Sequence, residues 1–386
     1  MSATTTRYSV ESLPLTYPRI NVSLVEDAHT LARLGSEWNA LVERTRNQPF
    51  YRHEFIRSWI ENFSPQAPLK LLLGREPGGR LVAILPLIEE QTRLFGIPVR
   101  QWTSPTNVHS ERFDVVAEDK KAACRAFFEY LRALKGWDML RLTEIPPDGH
   151  AWQLEEMARE HGLPVGTYQS QRSVYIPLPA SFEALQGALG GKFRGNLRRR
   201  RKQLEEKGRI SVEHITGGPD LQVHLEVCFA IEQSGWKGRR GEPANLDRRI
   251  HGFYSALARR ASKEGSFSLF RLMLDERPIA FHYGLVQDGI YSLLMTSYDE
   301  SLRACGPGHL LVEEVLKSCI ESGLREFDFL GCDLEWKRAW SPMNRQHTWL
   351  FILQNSLRGR VLHGLKFRLT PAAKRLTDYL RKGKKN

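Results

Sequence analysis

The chain has 386 residues, 41% of them apolar and 10% aromatic, enough for two or three domains with real cores. Its 56 Lys and Arg outnumber 44 Asp and Glu, and the net charge of +12 favours an anionic partner: a phosphate-bearing ligand, nucleic acid, an acidic membrane surface or an acidic polymer. The five cysteines (Cys124, Cys228, Cys305, Cys319, Cys332) are odd in number and widely spaced, which argues against a disulfide frame or a zinc site and for reduced thiols in a cytoplasmic protein. No apolar run is long enough to span a bilayer, and the first twenty residues lack the apolar segment of a signal peptide.

Residues 1–19 read as a loose arm. Apolar periodicity then predicts strand 20–26, helices 29–45 and 52–62, paired strands 69–75 and 80–88, and an extended region 97–103. Helix 119–135, strand 138–144, helix 150–162 and strand 171–177 follow, and Pro177–Pro179 reads as a linker. Helices 181–189 and 192–207, strand 210–216, and helices 220–234 and 247–263 come next. Strands 267–274, 278–286 and 290–298, helix 308–322, strand 325–330, short helix 334–340 and strand 347–354 complete the second half. A basic helical tail occupies 357–386, with leucines interleaved among its arginines and lysines. It reads as a docked final helix with an option of lying on an anionic membrane.

The order of elements repeats, which predicts an α/β (α+β) fold of two tandem domains, 20–177 and 178–356, each a mixed sheet flanked by helices. Arg80-Leu-Val-Ala-Ile84 corresponds to Arg277-Pro-Ile-Ala-Phe281, and each opens the second strand of a hairpin. The halves differ at the start of one crossover helix. The second has Gly306-Pro-Gly308, whose bare backbone N–H groups at a helix N-terminus suit a phosphate. The first has Glu118-Asp119, which suits the positive helix end but repels a phosphate. The expectation is one nucleotide-bearing ligand, bound by the second half.

Strand, two helices, three antiparallel strands, helix, strand, helix and strand is an order that resembles the GNAT acyltransferase fold. Arg303-Ala-Cys-Gly-Pro-Gly308 fits that family's Arg/Gln-x-x-Gly-x-Gly/Ala turn. A closer resemblance is to CelD/BcsL-type acetyltransferases linked to cellulose and exopolysaccharide synthesis, tandem GNAT proteins akin to Fem peptidyltransferases. It is carried by Lys192-Phe-Arg-Gly-Asn-Leu-Arg-Arg199, Ser234-Gly-Trp-Lys-Gly238, Pro278-Ile-Ala280, Tyr298-Asp-Glu300, Gly306-Pro-Gly308 and Asp328-Phe-Leu-Gly331 with Lys337. More loosely, it extends to Phe55-Ile-Arg-Ser-Trp59 and Leu85-Pro-Leu87.

The resemblance implies an acyl-CoA-dependent N-acyltransferase that uses acetyl-CoA or a longer acyl-CoA, no metal, and direct transfer in a ternary complex. The acceptor would be an amine, for example an amino sugar or an envelope or exopolysaccharide precursor. Met295, Ser297, Arg303, Cys305, Gly306, Gly308 and His309 would hold the acyl-CoA. His282 and Asp299 are the candidate bases, Tyr298 the proton donor to the leaving thiolate, and Asp328 a site carboxylate. Arg194, Asn196, Trp236 and Lys337 would line the acceptor groove, and Trp336 could stack a sugar ring. A Fem-type transferase using charged tRNA is the alternative, since the basic surface suits tRNA. A non-enzymatic binder of anionic surfaces is the third reading.

Overall fold

The computed structural model of the chain describes residues 20–45, 48–234 and 244–369. The first half opens with β1 (Asn21–Val25), α1 (Ala28–Arg33), α2 (Gly35–Arg44) and α3 (His53–Phe63). The sequence predicts one helix over 29–45; two form, because the chain breaks at Leu34, whose N–H turns back to the Leu31 carbonyl and closes α1 before α2 starts at Gly35. Strands β2 (Leu71–Arg75), β3 (Leu81–Leu85), β4 (Ile88–Leu94) and β5 (Ile97–Thr103) follow. The sequence did not reveal β4 as a separate strand, because it lies at a sheet edge and its Glu89-Glu-Gln-Thr-Arg93 run has little apolar content. Then come β6 (Val116–Ala117), α4 (Lys120–Ala133), β7 (Met139–Ile145), α5 (Trp152–Glu160) and the long β8 (Val165–Pro177).

The second half holds α6 (Phe182–Ala188), α7 (Gly191–Glu205), β9 (Ile210–Ile215), α8 (Leu221–Ser234) and α9 (Ala244–Lys263). Strands β10 (Phe267–Leu274), β11 (Arg277–Gln287) and β12 (Ile290–Tyr298) form an antiparallel meander. Helix α10 (Pro307–Glu321), β13 (Glu326–Asp328), α11 (Glu335–Arg338), β14 (Asn344–Leu353) and α12 (Leu357–Gly364) complete it. Expected strand 325–330 stops at Asp328 because Leu330 (φ 49°) and Gly331 (φ 58°) turn into the left-handed region.

One sheet runs β1-β2-β3-β6, and a ten-stranded sheet runs β4-β5-β7-β14-β8-β13-β12-β11-β10-β9. The last strand, β14, inserts between β7 and β8 of the first half. Strand β8 pairs with β14 up to Val174 and with β13 from Tyr175, so it ties the halves into one sheet. Their cores also merge. Trp38, Phe50, Phe55 and Trp59 from the first half and Phe253, Tyr254, Phe281 and Tyr283 from the second belong to one buried cluster. Burial of such large aromatic surfaces helps hold the halves together. Leu362 of α12 is buried and Phe367 beyond it packs on Phe351, so the basic tail begins docked. Its continuation from 370 lies outside the described residues. Among the described residues no helix is long and apolar enough to cross a membrane.

Candidate functional site

Strands β12 and β13 run parallel and pair only over Ile290–Ser292 and Glu326–Asp328. From Leu293 to Tyr298 that edge of β12 has no strand partner among the described residues, so a wedge opens between the two strands. A bulge at Leu294, where the register slips between Tyr283 and Gly284, bends β12 further at this place. The Tyr254 hydroxyl donates to the Leu294 carbonyl (3.3 Å) and lies 3.1 Å from His109 Nδ1, whose ring stacks on Phe63. An unpaired strand edge offers backbone donors and acceptors to an extended ligand.

At the open end of β12, Asp299 starts a short 3₁₀ turn and Gly306 (φ 57°) begins α10. A left-handed glycine lets the backbone turn sharply into the helix. Pro307 supplies the first helical position, where its missing N–H costs nothing. The space a Cβ at Gly306 would take is filled by the Arg200 side chain from α7, at 2.8 Å. Gly308 packs against the Tyr298 ring, 3.3 Å from its own Cβ position. The helix start has no side-chain cap, His309 N and Leu310 N turn back to the Gly306 carbonyl, and Gly308 N is left to a ligand; flanked by Arg200 and exposed Arg303, it fits a pyrophosphate. In the first half the matching helix α4 is capped by Asp119, which accepts from Lys121 N and Ala122 N, while Glu118 is paired with Arg44 and Arg80. A protein carboxylate therefore fills the place a phosphate would need.

Several expected residues gather here. Tyr298 is half-buried beside Gly308, and burial together with the Glu300 charge raises its phenol above the ordinary value, so it stays a proton donor at neutral pH. His309 packs among Phe193, Trp336 and Trp340, and burial, with Arg200 nearby, lowers its pKa to about 4. Its neutral ring takes a hydrogen bond from Trp340 Nε1 at 3.2 Å. Arg194 and Asn196 are half-buried on α7.

Others are placed differently. His282 is 0% exposed, and among the described residues neither ring nitrogen has a hydrogen-bond partner. Burial alone drives its pKa down to about 3, so the ring is a neutral core residue walled off from any substrate, which argues against it as the base. Replacing His282 with leucine should leave turnover unchanged and hold or raise the denaturation midpoint, because two unpaired buried nitrogens disappear; loss of turnover with retained folding would restore it as a candidate. Asp299 is an occupied cap: Oδ1 accepts from Ser301 N and Oγ (2.9 and 2.6 Å) and Oδ2 from Arg277 (2.7 Å). Burial raises its pKa, but these bonds outweigh that and hold it below the ordinary carboxylate value, so it is a weak base. The side chains of Met295 and Cys305 face the core, leaving only their backbone to a ligand. Ser297 is half-buried on the strand's unpaired stretch. Trp236 lies outside the described residues.

At the closed end of the wedge sits a buried polar cluster built by both halves. Asp328 is 0% exposed; its carboxylate accepts from Arg112 Nη2, Arg345 Nη1 (3.0 Å) and Leu330 N (2.8 Å). Arg345 also grips Glu326 with two hydrogen bonds. Lys337, 7% exposed, donates to the Leu330 carbonyl (2.5 Å), and burial lowers its pKa against the pull of Glu111. Glu111, 8% exposed, takes a hydrogen bond from Gln171 Nε2. The sequence reading missed Glu111 and Arg112. The signal available was Ser110-Glu-Arg-Phe-Asp114, three charges beside apolar Phe113 and Val115 in a stretch with no predicted element.

Residues 191–338 match a family model described as an acetyltransferase (GNAT) domain. No curated protein sequence matches the chain. Among solved structures, FemX superposes with a TM-score of 0.59 at 12% identity over 85% of this chain and 98% of its own. The C-terminal domain of a putative lysylphosphatidylglycerol synthetase from Agrobacterium fabrum gives 0.52 at 12% over 86% and 95%. L-PGS from Bacillus licheniformis gives 0.50 at 13% over 88% and 96%. At such identities the likeness is one of fold. The wedge and the glycine turn both fall inside the segment, residues 191–338, that is similar to an acetyltransferase (GNAT) domain.

Proposed function

We propose that the protein is an acyl-CoA-dependent N-acyltransferase. The single observation that carries this is the wedge between β12 and β13 leading to the Gly306-Pro-Gly308 start of α10. The helix start with Arg200 and Arg303 would hold the pyrophosphate. The free edge of β12 would pair with the amide-bearing arm, and the thioester carbonyl would reach the bulge at Leu294. Tyr298 would protonate the departing thiolate. Placing two reactants together in such a cleft supplies much of the catalysis. The acceptor belongs to the proposal as an amine, with amino sugars and envelope or exopolysaccharide precursors as the class offered by the CelD/BcsL resemblance.

Calorimetric titration with acetyl-CoA, longer acyl-CoAs and free CoA tests this reading. Saturable binding is expected. Gly308→Phe should weaken it at least tenfold without lowering the denaturation midpoint by more than a few degrees, since the new ring must displace Tyr298 at the surface end of the cleft. Glucosamine and free amino acids then serve as acceptors. Wild-type protein that ignores every CoA species but is protected by tRNA would replace this reading with a tRNA-dependent transfer.

A further inference from the structure

We propose that Glu111, delivered by the first half, is the group that takes the proton from the attacking amine in the second half's wedge. The inference rests on the acyl-transfer reading above and names the base that neither His282 nor Asp299 provides.

The geometry begins with the loop between β5 and β6. In the first half β5 and β7 run parallel over Gln101–Thr103 and Met139–Arg141, as β12 and β13 do in the second. Here, however, the chain fills its own wedge. Ser104 Oγ meets Thr143 Oγ1 at 3.2 Å and accepts from Thr143 N at 3.0 Å, and Thr106 joins them. Asp114 then anchors the loop by accepting from His150 N and Ala151 N at the head of α5 (2.7 and 2.8 Å). Phe113 N donates to the Glu144 carbonyl, at a residue held in the left-handed region (φ 56°). Between these anchors the loop carries Glu111 and Arg112 across to the other half.

Glu111 Oε1 lies 3.6 Å and Lys337 Nζ 3.2 Å from the point a Cβ on Gly331 would occupy, so both ionisable ends close on the same spot at the root of the wedge. Leu330, the residue before it, is itself left-handed (φ 49°), a strained arrangement of the kind that clusters at functional sites. The groups facing Glu111 are Glu144 on β7, Gln171 on β8, Asp328 on β13 and Lys337 on α11, and Tyr254 on α9 feels its charge. Tyr254 is the residue whose hydroxyl meets the bulge at Leu294. Glu111 thus neighbours the lysine at Gly331 and lies within electrostatic reach of the tyrosine that meets the bulge. Arg112 and Arg345 already satisfy Asp328, and Ser170 and Trp349 donate to Glu144, whereas Glu111 takes its hydrogen bond from the neutral Gln171 amide. Burial, with Glu144 beside it, raises Glu111 to about 8. That places a proton acceptor where an amine loses its proton near neutral pH.

In the step, the amine lone pair attacks the thioester carbonyl carbon. The C–N bond forms, the C–S bond breaks, and the nitrogen's proton moves to the Glu111 carboxylate. The sulfur leaves as thiolate and takes the Tyr298 proton; Tyr298 regains one from Glu111 through solvent, so amine and thioester become amide and thiol.

The test uses the full chain, acetyl-CoA and hydroxylamine as a small amine probe, which is a free base throughout the range measured. Wild-type turnover should rise with pH along a limb centred near 8. Glu111→Gln should bind acetyl-CoA within twofold of wild type, lose at least a hundredfold in kcat and lose that limb. Glu111→Asp, with a shorter reach, should recover part of kcat and the limb. Glu111→Gln retaining turnover or the limb overturns the proposal, as does wild type that binds acetyl-CoA and never transfers to hydroxylamine. Absence of acetyl-CoA binding to wild type would instead strike the acyl-transfer reading.

Discussion

Asp328→Ala should cost the fold about 3–5 kcal/mol, because it strands a buried charge rather than merely deleting a contact. Arg112 is buried, and Asp328 is its ionic partner across the halves; its other hydrogen bond goes to the neutral Gln48 amide at 3.3 Å. Arg345, by contrast, keeps Glu326 when Asp328 is lost. The cost should therefore be traceable to Arg112. Arg112→Met alone should also destabilise, and the double variant should cost less than the two singles together by more than about 1 kcal/mol. Urea denaturation midpoints of the four proteins measure this. Additive losses, or an Asp328→Ala loss below about 1 kcal/mol, would show that the ion pair does not clamp the halves. Asp328 would then regain its standing as a carboxylate free to act on substrate. On the present geometry it is a positioning residue: it fixes Arg112, and with it the loop that carries Glu111.

The second half of the chain was legible because its signals are local. The meander β10–β12 follows from alternating apolar runs, and β10 and β12 coincide with the predicted spans 267–274 and 290–298. The α10 start announces itself through Gly306-Pro-Gly308. The acidic start of α4 was equally readable, and Asp119 does cap it. What escaped depends on long-range pairing. That β14 leaves its neighbours to lie between β7 and β8 cannot be read from its own residues, since register is set by the partner strands. Glu111 and Arg112 lie 217 and 216 residues away from Asp328 and its strand in one dimension and beside it in three, and Glu111 sits in a loop with no periodicity. The histidine at position 282 misled for the opposite reason. A strand residue's face can be assigned from alternation, but whether that face is covered by α10 or open to a cleft depends on packing that alternation does not contain.

Glu111→Gln should stabilise the protein at alkaline pH while disabling it, and the size of that gain should depend on pH in a defined way. Glu111 has a folded-state value of about 8 against an ordinary value of 4.5. Burial is the largest cause, followed by repulsion from Glu144; Lys337 and the Gln171 hydrogen bond pull the other way. Because folding raises the pKa of this acid, the native state holds the proton more tightly than the unfolded chain. Its contribution is most favourable below about 4.5, falls as pH rises through the interval to about 8, and is level above that. Glutamine cannot ionise, so the variant lacks this decline. The difference between variant and wild type should be small at pH 5, grow through pH 6 and 7, and level off above 8 at a gain on the order of 3–5 kcal/mol for glutamine. Denaturation midpoints for both proteins across this range check it, and parallel curves would mean that Glu111 is no more buried or repelled than an ordinary surface carboxylate. A residue that merely held the cluster together would show the reverse, a loss on substitution at every pH. A carboxyl set where its ionised form destabilises the fold, in a loop anchored on both sides and aimed at the neighbouring half, fits a role for its proton better than a role in holding the fold.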